Sequence, residues 1–252
     1  MRLLLINPNI SASVTGLILD EAKRSASPGT EVTALTVAFG VAYIETRFEA
    51  LIAAYATAQL AAEHQQSFDG IIVAAFGDPG VAGIREALDI PVLGLTESAL
   101  ASACLLGQRF SIVAISQRIR AWYRETVQFN GLEGRLASIR GLDEPLADIG
   151  SVQADQGERL VRLAERCVDE DGADVIVLAG APLAGLARTL RGRLPVPAVD
   201  GVSSAVRHAE SLVALQPGRA LRGSFALPPA KPNRGLPPSI ERLLDRGAAR
   251  AD

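Results

Sequence analysis

The apolar positions of this chain fall into short, solid runs. Leu3 to Ile6, Ile71 to Ala74 and Val175 to Leu178 contain no polar residue, and each stops at a turn: Asn7-Pro8-Asn9, Gly77-Asp78-Pro79-Gly80 and Gly180-Ala181-Pro182. Runs this short and rich in aliphatic side chains predict strands buried on both faces, as in a parallel sheet. Further strands are expected at Glu31–Val37, Ile90–Leu95, Phe110–Ile115, Leu136–Arg140 and Val196–Val199.

Longer segments between these runs predict helices. One follows Ser11 or Ser13 to about Ser25, one runs from Ile44 to about Gln65, and one from Val81 to Leu88. Others start at a Thr96 cap and at a Ser116 cap, the latter ending near Phe129. After a loop at 141–150 a long helix reaches Asp171; another follows Pro182, and Val202–Leu215 is the next. Strand–helix alternation argues an α/β fold with helices on both faces of a parallel sheet. The pattern restarts near Arg109, so two similar halves are expected: 1–97 with 203–225, and 98–202. From 226 to 252 Pro and Arg accumulate, which predicts an extended arm with a short helix at about 239–245.

In such sheets ligands bind beyond the carboxyl ends of the strands. The loops 7–11, 75–80, 96–98 and 180–183 are therefore expected to meet in one crevice, with Asp200 close behind. Asn7 and Asn9 offer amide groups to a small polar ligand, or serve as turn residues. Thr96 and Ser98 either bind an anion at a helix start or cap it. Glu97 suits the helix dipole or acts as a general acid or base, and Asp78 either closes its own turn or takes part in catalysis. Tyr43 and Glu45, just beyond Gly40, reach over the crevice mouth. His64 and His208 lie alone in helices and read as ordinary helical residues.

Composition removes several classes of function. The net charge of −3 with intermixed signs, and only 4% aromatics, argue against nucleic acid. The apolar opening, Met1 to Ile6, is too short for a signal peptide or a membrane span, so a cytoplasmic protein is expected. Cys104 and Cys167 sit in no metal-ligand spacing, and both read as structural. No G-x-G-x-x-G, phosphate-binding loop or G-x-S-x-G elbow occurs.

Taken together, Ile6-Asn7-Pro8-Asn9-Ile10-Ser11, Gly40 with Tyr43-Ile44-Glu45, Ala75-Phe76-Gly77-Asp78-Pro79-Gly80, Val177 to Leu186 and Val199-Asp200-Gly201 come in a family-specific order. Over about residues 2–215 the chain resembles the aspartate/glutamate/hydantoin racemase superfamily, in particular its hydantoin and allantoin racemase branch. The resemblance implies two Rossmann-like halves related by a pseudo-two-fold, a small substrate between them, no metal or coenzyme, and a homo-oligomer. It also implies two cysteines working on opposite faces of a carbon acid, and their places fall on Ala75 and Gly180.

Neither residue transfers a proton. The expected function is therefore a cofactor-independent racemase-like enzyme for a small cyclic amide or carboxylate, using other acid–base groups. Racemase, isomerase, decarboxylase and lyase chemistry all remain open at this point, and a non-catalytic ligand binder of the same fold is the alternative. Glu97, Asp78 and Tyr43 are the candidate proton carriers. Asn9, Tyr43, Ala75, Phe76, Thr96, Gly180 and Ala181 are the candidate substrate contacts.

Overall fold

The solid apolar runs become central strands enclosed from both sides. The computed structural model describes residues 1–143, 149–227, 229 and 231–245. Within it β1 (Arg2–Asn7), β2 (Glu31–Thr36), β3 (Gly70–Val73) and β4 (Val92–Gly94) form one parallel sheet in the order β2-β1-β3-β4. A second parallel sheet, from β5 (Phe110–Ala114), β6 (Leu136–Gly141), β7 (Val175–Leu178) and β8 (Ala198–Asp200), has the order β6-β5-β7-β8. The order is the same in both, so β5 stands where β1 does and β7 where β3 does.

Successive residues of a strand point to opposite faces, and here each face has its own core. Leu3, Leu5 and Ile72 face a large core shared with the second half. It also takes in Val14 and Ile18 of α1 (Ala12–Ser25), Ala99 and Leu100 of α4 (Leu95–Leu106) and Ala205 of α8 (Gly201–Leu215). Leu4, Ile6, Ile71 and Val73 face a second core under α2 (Arg47–His64) and α3 (Val81–Ala87). In the second half α5 (Arg120–Phe129) packs on β6, and α6 (Val152–Asp169) on β5 and β6. Although α8 comes late in the chain, it packs on β3, β4, α1 and α4.

Several boundaries differ from the sequence expectation for local reasons. At the start of α2, Thr46 and Glu49 form a reciprocal capping box, so the helix opens three residues after Ile44. With Leu95 as its first residue, α4 follows β4 directly; Thr96 lies inside the helix and does not cap it. Ser116 does not cap α5, which opens at Arg120. After β7 the chain makes a 3-10 turn, Ala181–Leu183, and then only the short α7 (Leu186–Thr189).

In the terminal arm, α9 (Pro238–Asp245) packs on α2 and buries Leu243 in the second core. Parts of the expected 141–150 loop and of the arm, namely 144–148, 228, 230 and 246–252, lie outside the described residues. Among the described residues no helix is long and apolar enough to cross a membrane, and no group of His, Cys, Asp and Glu is arranged to hold a metal ion.

Candidate active site

A sheet ordered 2-1-3-4 sends its connections in opposite directions from β1 and β3, leaving a gap beyond their carboxyl ends. The two halves present such gaps to one cavity of about 370 Å³. Asn9 reaches it from the end of β1, Tyr43 and Glu45 from beyond β2, and Ala75 and Phe76 from β3. The second half supplies Ser116, Gln117, Arg118 and Ile119 after β5, Leu142 and Asp143 after β6, and Gly180, Ala181 and Pro182 after β7. Tyr123 of α5 also stands on this wall. The edge strands β4 and β8 contribute nothing to this lining.

Each tip peels away from its sheet in the same manner. Ala74 N–H donates to Ile6 O at 2.7 Å, and Ala179 N–H to Val113 O at 2.8 Å, the last bonds before the chain leaves the ladder. Beyond them the N–H groups of Ala75, Phe76, Gly180 and Ala181 find no acceptor among the described residues. Free donors on the wall of a cavity suit an oxygen that carries or develops negative charge.

Asn9 is buried, and its Oδ1 accepts from Ser11 N–H at 2.9 Å and from Asn7 Nδ2 at 3.0 Å. This fixes the amide orientation and leaves Nδ2 as a donor to the cavity. Arg118 faces the same space with no salt-bridge partner among the described residues.

Three of the sequence candidates do not reach the cavity. Asp78 is half-buried, with Oδ1 accepting from Thr96 N–H at 2.7 Å and Oδ2 from Glu97 N–H at 2.9 Å. It therefore caps α4 across space, satisfying N–H groups that a helix start leaves open. Thr96 is fully buried, and its Oγ1 accepts from Gly77 N–H at 2.6 Å, so it holds the tip from behind. Glu97 accepts from Gly94 N–H at 3.1 Å and is paired with Arg85. Burial and the Glu97 charge push Asp78 up to about 7, against the two backbone donors that favour its ionised form. Asp200 caps α8 through Ser203 N–H at 2.9 Å, and burial raises its pKa.

The second half supplies residues that sequence reasoning passed over. Trp122 lies against Gly77, and the Tyr123 ring packs on Phe76 with centroids 4.6 Å apart, so α5 clamps the first tip. Tyr123 is 3% exposed, and its ring lines the cavity with no hydrogen bond to its hydroxyl among the described residues. Burial, reinforced by Asp78 and Glu45, drives its pKa upward and keeps it a neutral donor. Two adjacent aromatics just past an apolar strand, in a chain with 4% aromatics, were the available signal. Ser116 Oγ donates to Glu45 Oε1 at 2.6 Å across the crevice. Cys104 is half-buried in α4 and Cys167 buried in α6, and neither lines the cavity.

The sequence model of the Asp/Glu/hydantoin racemase family matches residues 3–209. This chain belongs to that family. It is 36% identical over 238 residues to a hydantoin racemase of Paenarthrobacter aurescens, covering 92% of this chain and 99% of the relative. Its fold is similar to that of an allantoin racemase from Klebsiella pneumoniae, with a TM-score of 0.90, 35% identity and coverage of 95% and 98% of the two chains. An allantoin racemase from Pseudomonas fluorescens gives a TM-score of 0.87 and 37% identity, covering 93% of this chain and 100% of the other. The protein is thus a racemase-family enzyme with two four-stranded parallel sheets.

The two tip positions tolerate a thiol differently. Ala75 already carries a Cβ on the cavity wall, so Ala75→Cys is expected to leave stability within about 1 kcal/mol. Gly180 has φ +114° and ψ 143°, a conformation nearly restricted to glycine. Gly180→Cys is expected to lose on the order of 1–3 kcal/mol, although only Pro182 Cδ, at 3.5 Å, would meet its Cβ. Urea denaturation of the two variants checks the difference; equal stability would show that the second tip relaxes freely.

Proposed function

We propose that this racemase-family enzyme admits a small cyclic amide, of the hydantoin or allantoin type, between its two tips. There it moves the proton on the ring's stereogenic carbon by side chains other than cysteine, with no metal or coenzyme. The observation that supports this most is that residues of both tips whose N–H groups are unpaired among the described residues line one cavity. Removing a proton beside a carbonyl puts negative charge on the carbonyl oxygen, and preorganised donors stabilise that charge. Ala75 and Phe76 on one side, with Gly180 and Ala181 on the other, supply such donors without any side-chain acid. The Tyr123 hydroxyl and Asn9 Nδ2 add two more. Among the described residues, Glu45 and Asp143 on the wall against the single Arg118 favour a neutral ring bearing N–H groups over a dicarboxylate.

The test is proton exchange. An enantiopure 5-substituted hydantoin and (S)-allantoin are incubated with the protein in D₂O, and the C–H signal is followed by NMR beside an enzyme-free control. Exchange accompanied by loss of optical rotation is expected. Ligand-induced thermal stabilisation without exchange would instead mark a binding protein. We further propose self-association through α2, whose Phe48, Leu51 and Tyr55 form an exposed apolar row; sedimentation of a Leu51→Glu variant at a lower mass than the parent checks it.

A further inference from the structure

Among the carboxylates brought near the two tips, most are occupied by structural work. Asp78 gives one oxygen each to two backbone N–H groups, and Glu97 is tied to Arg85. Glu45 differs. It lines the cavity, its Oε1 accepts a single bond from Ser116, and its Oε2 has no partner among the described residues. No Arg, Lys or His lies within salt-bridge distance of it among the described residues. A carboxylate with one oxygen anchored and the other open toward a cavity has the form a proton acceptor needs.

Its placement is enforced from both halves of the chain. On its own side, Glu45 N–H and Thr46 N–H both donate to Glu49 Oε2, each at 2.8 Å, and Glu49 is in turn held by the α2 capping box. The backbone carrying Glu45 is therefore locked to the start of a helix. On the opposite side, Ser116 Oγ accepts from Arg118 N–H at 3.1 Å. Because that N–H occupies a lone pair, the one hydroxyl proton is directed at Glu45 Oε1. Tyr123 stands close enough for the Glu45 charge to act on its hydroxyl.

We infer that Glu45 is a catalytic residue that takes the proton from the substrate carbon through Oε2, and that Ser116 is its positioning residue. This rests on the acid–base reading of the crevice given above. In the step, the ring C–H bond breaks and its proton passes to Oε2. The electron pair moves into the adjacent carbonyl, producing an enolate whose oxygen is met by the free donors of the tips. A proton from water on the other face restores the carbon, and Glu45 returns its proton to water. Nothing is oxidised or reduced, and no group is consumed.

The experiment compares the parent with Glu45→Gln, Glu45→Asp, Ser116→Ala and the Glu45→Gln/Ser116→Ala pair. Exchange of an enantiopure 5-substituted hydantoin and of (S)-allantoin in D₂O is followed, with thermal stabilisation by the same compounds as the binding readout. Glu45→Gln is expected to lose about 10²-fold or more in kcat while keeping ligand stabilisation. Glu45→Asp should retain weak turnover, and Ser116→Ala should lose about tenfold in kcat with KM little changed. In the Glu45→Gln background Ser116→Ala should add nothing, since its effect passes through Glu45.

Exchange by Glu45→Gln within about threefold of the parent would overturn the assignment. So would a folded Glu45→Gln protein that loses ligand stabilisation and activity together, because Glu45 would then be a binding residue. A parent protein that exchanges neither compound would instead bring down the functional reading, and this assignment with it.

Discussion

Gly77→Ala is expected to destabilise the protein by about 3 kcal/mol or more. A Cβ built on Gly77 would lie 2.3 Å from Cζ2 of the Trp122 ring, closer than any real contact, and the residue sits at φ +100°. Both causes act together, because the Trp122 ring would have to move off the tip and the backbone cannot rotate without releasing the Thr96 bond at 2.6 Å. A loss of this size corresponds to roughly 10 °C in Tm for a chain of this length. Thermal unfolding measures it, and Trp122→Ala in the same background should recover part of the loss by relieving the collision. A Gly77→Ala protein as stable as the parent would mean that the first tip is not clamped from the second half. Activity should fall along with stability, since this tip carries two of the free donors.

Stability is expected to decline as pH rises from about 5 to about 8, and Asp78 is the main cause. Its folded pKa lies near 7, above that of an Asp in an unfolded chain, so the folded protein holds a proton there that the unfolded chain has released. The stabilisation from that proton is complete below about pH 4 and disappears as pH passes through about 7, a change on the order of 4 kcal/mol. The raised Asp200 works in the same direction. The lowered carboxyls of Glu49, Glu170, Asp171 and Glu210 work in the opposite one, and only at more acidic pH.

Denaturant midpoints of the parent and Asp78→Asn at pH 5 and pH 8 isolate the effect. Asp78→Asn loses stability at both, because its amide sets a donor against one backbone N–H of α4, but it should lose most of the slope. An unchanged slope would place the titration elsewhere.

Much of the fold was legible because burial leaves a direct mark on sequence. Strands covered on both faces, such as β1, β3 and β7, are apolar along their covered length, and they read as solid runs. The same runs located both tips. Asn9, Tyr43, Ala75, Phe76, Gly180 and Ala181, singled out from sequence, all line the cavity.

Asp78, Thr96 and Glu97 show where such reading stops. A polar cluster at a strand end is equally consistent with binding and with capping, and here Asp78 binds the Thr96 and Glu97 N–H groups, Thr96 binds Gly77 N–H, and Glu97 pairs with Arg85. Thr96 and Glu97 follow β4, at the sheet edge and away from the gap between β1 and β3, and Asp78 turns back toward them from the end of β3. Strand order, which decides this, is a pairing choice that no local pattern encodes. Ser116 and Tyr123 were missed for the converse reason, since their importance comes from facing the other half.

By itself, then, the amino-acid sequence determined the α/β class, the duplication, the family and the two tips with Ala75 and Gly180 at their ends, because each depends on local composition and chain order. Only the tertiary structure decided that Asp78 and Glu97 serve α4 while Glu45 is left open to the cavity beside Tyr123. That outcome depends on which partners each carboxylate meets across the sheets and between the halves, and side chains far apart in sequence set those meetings through packing.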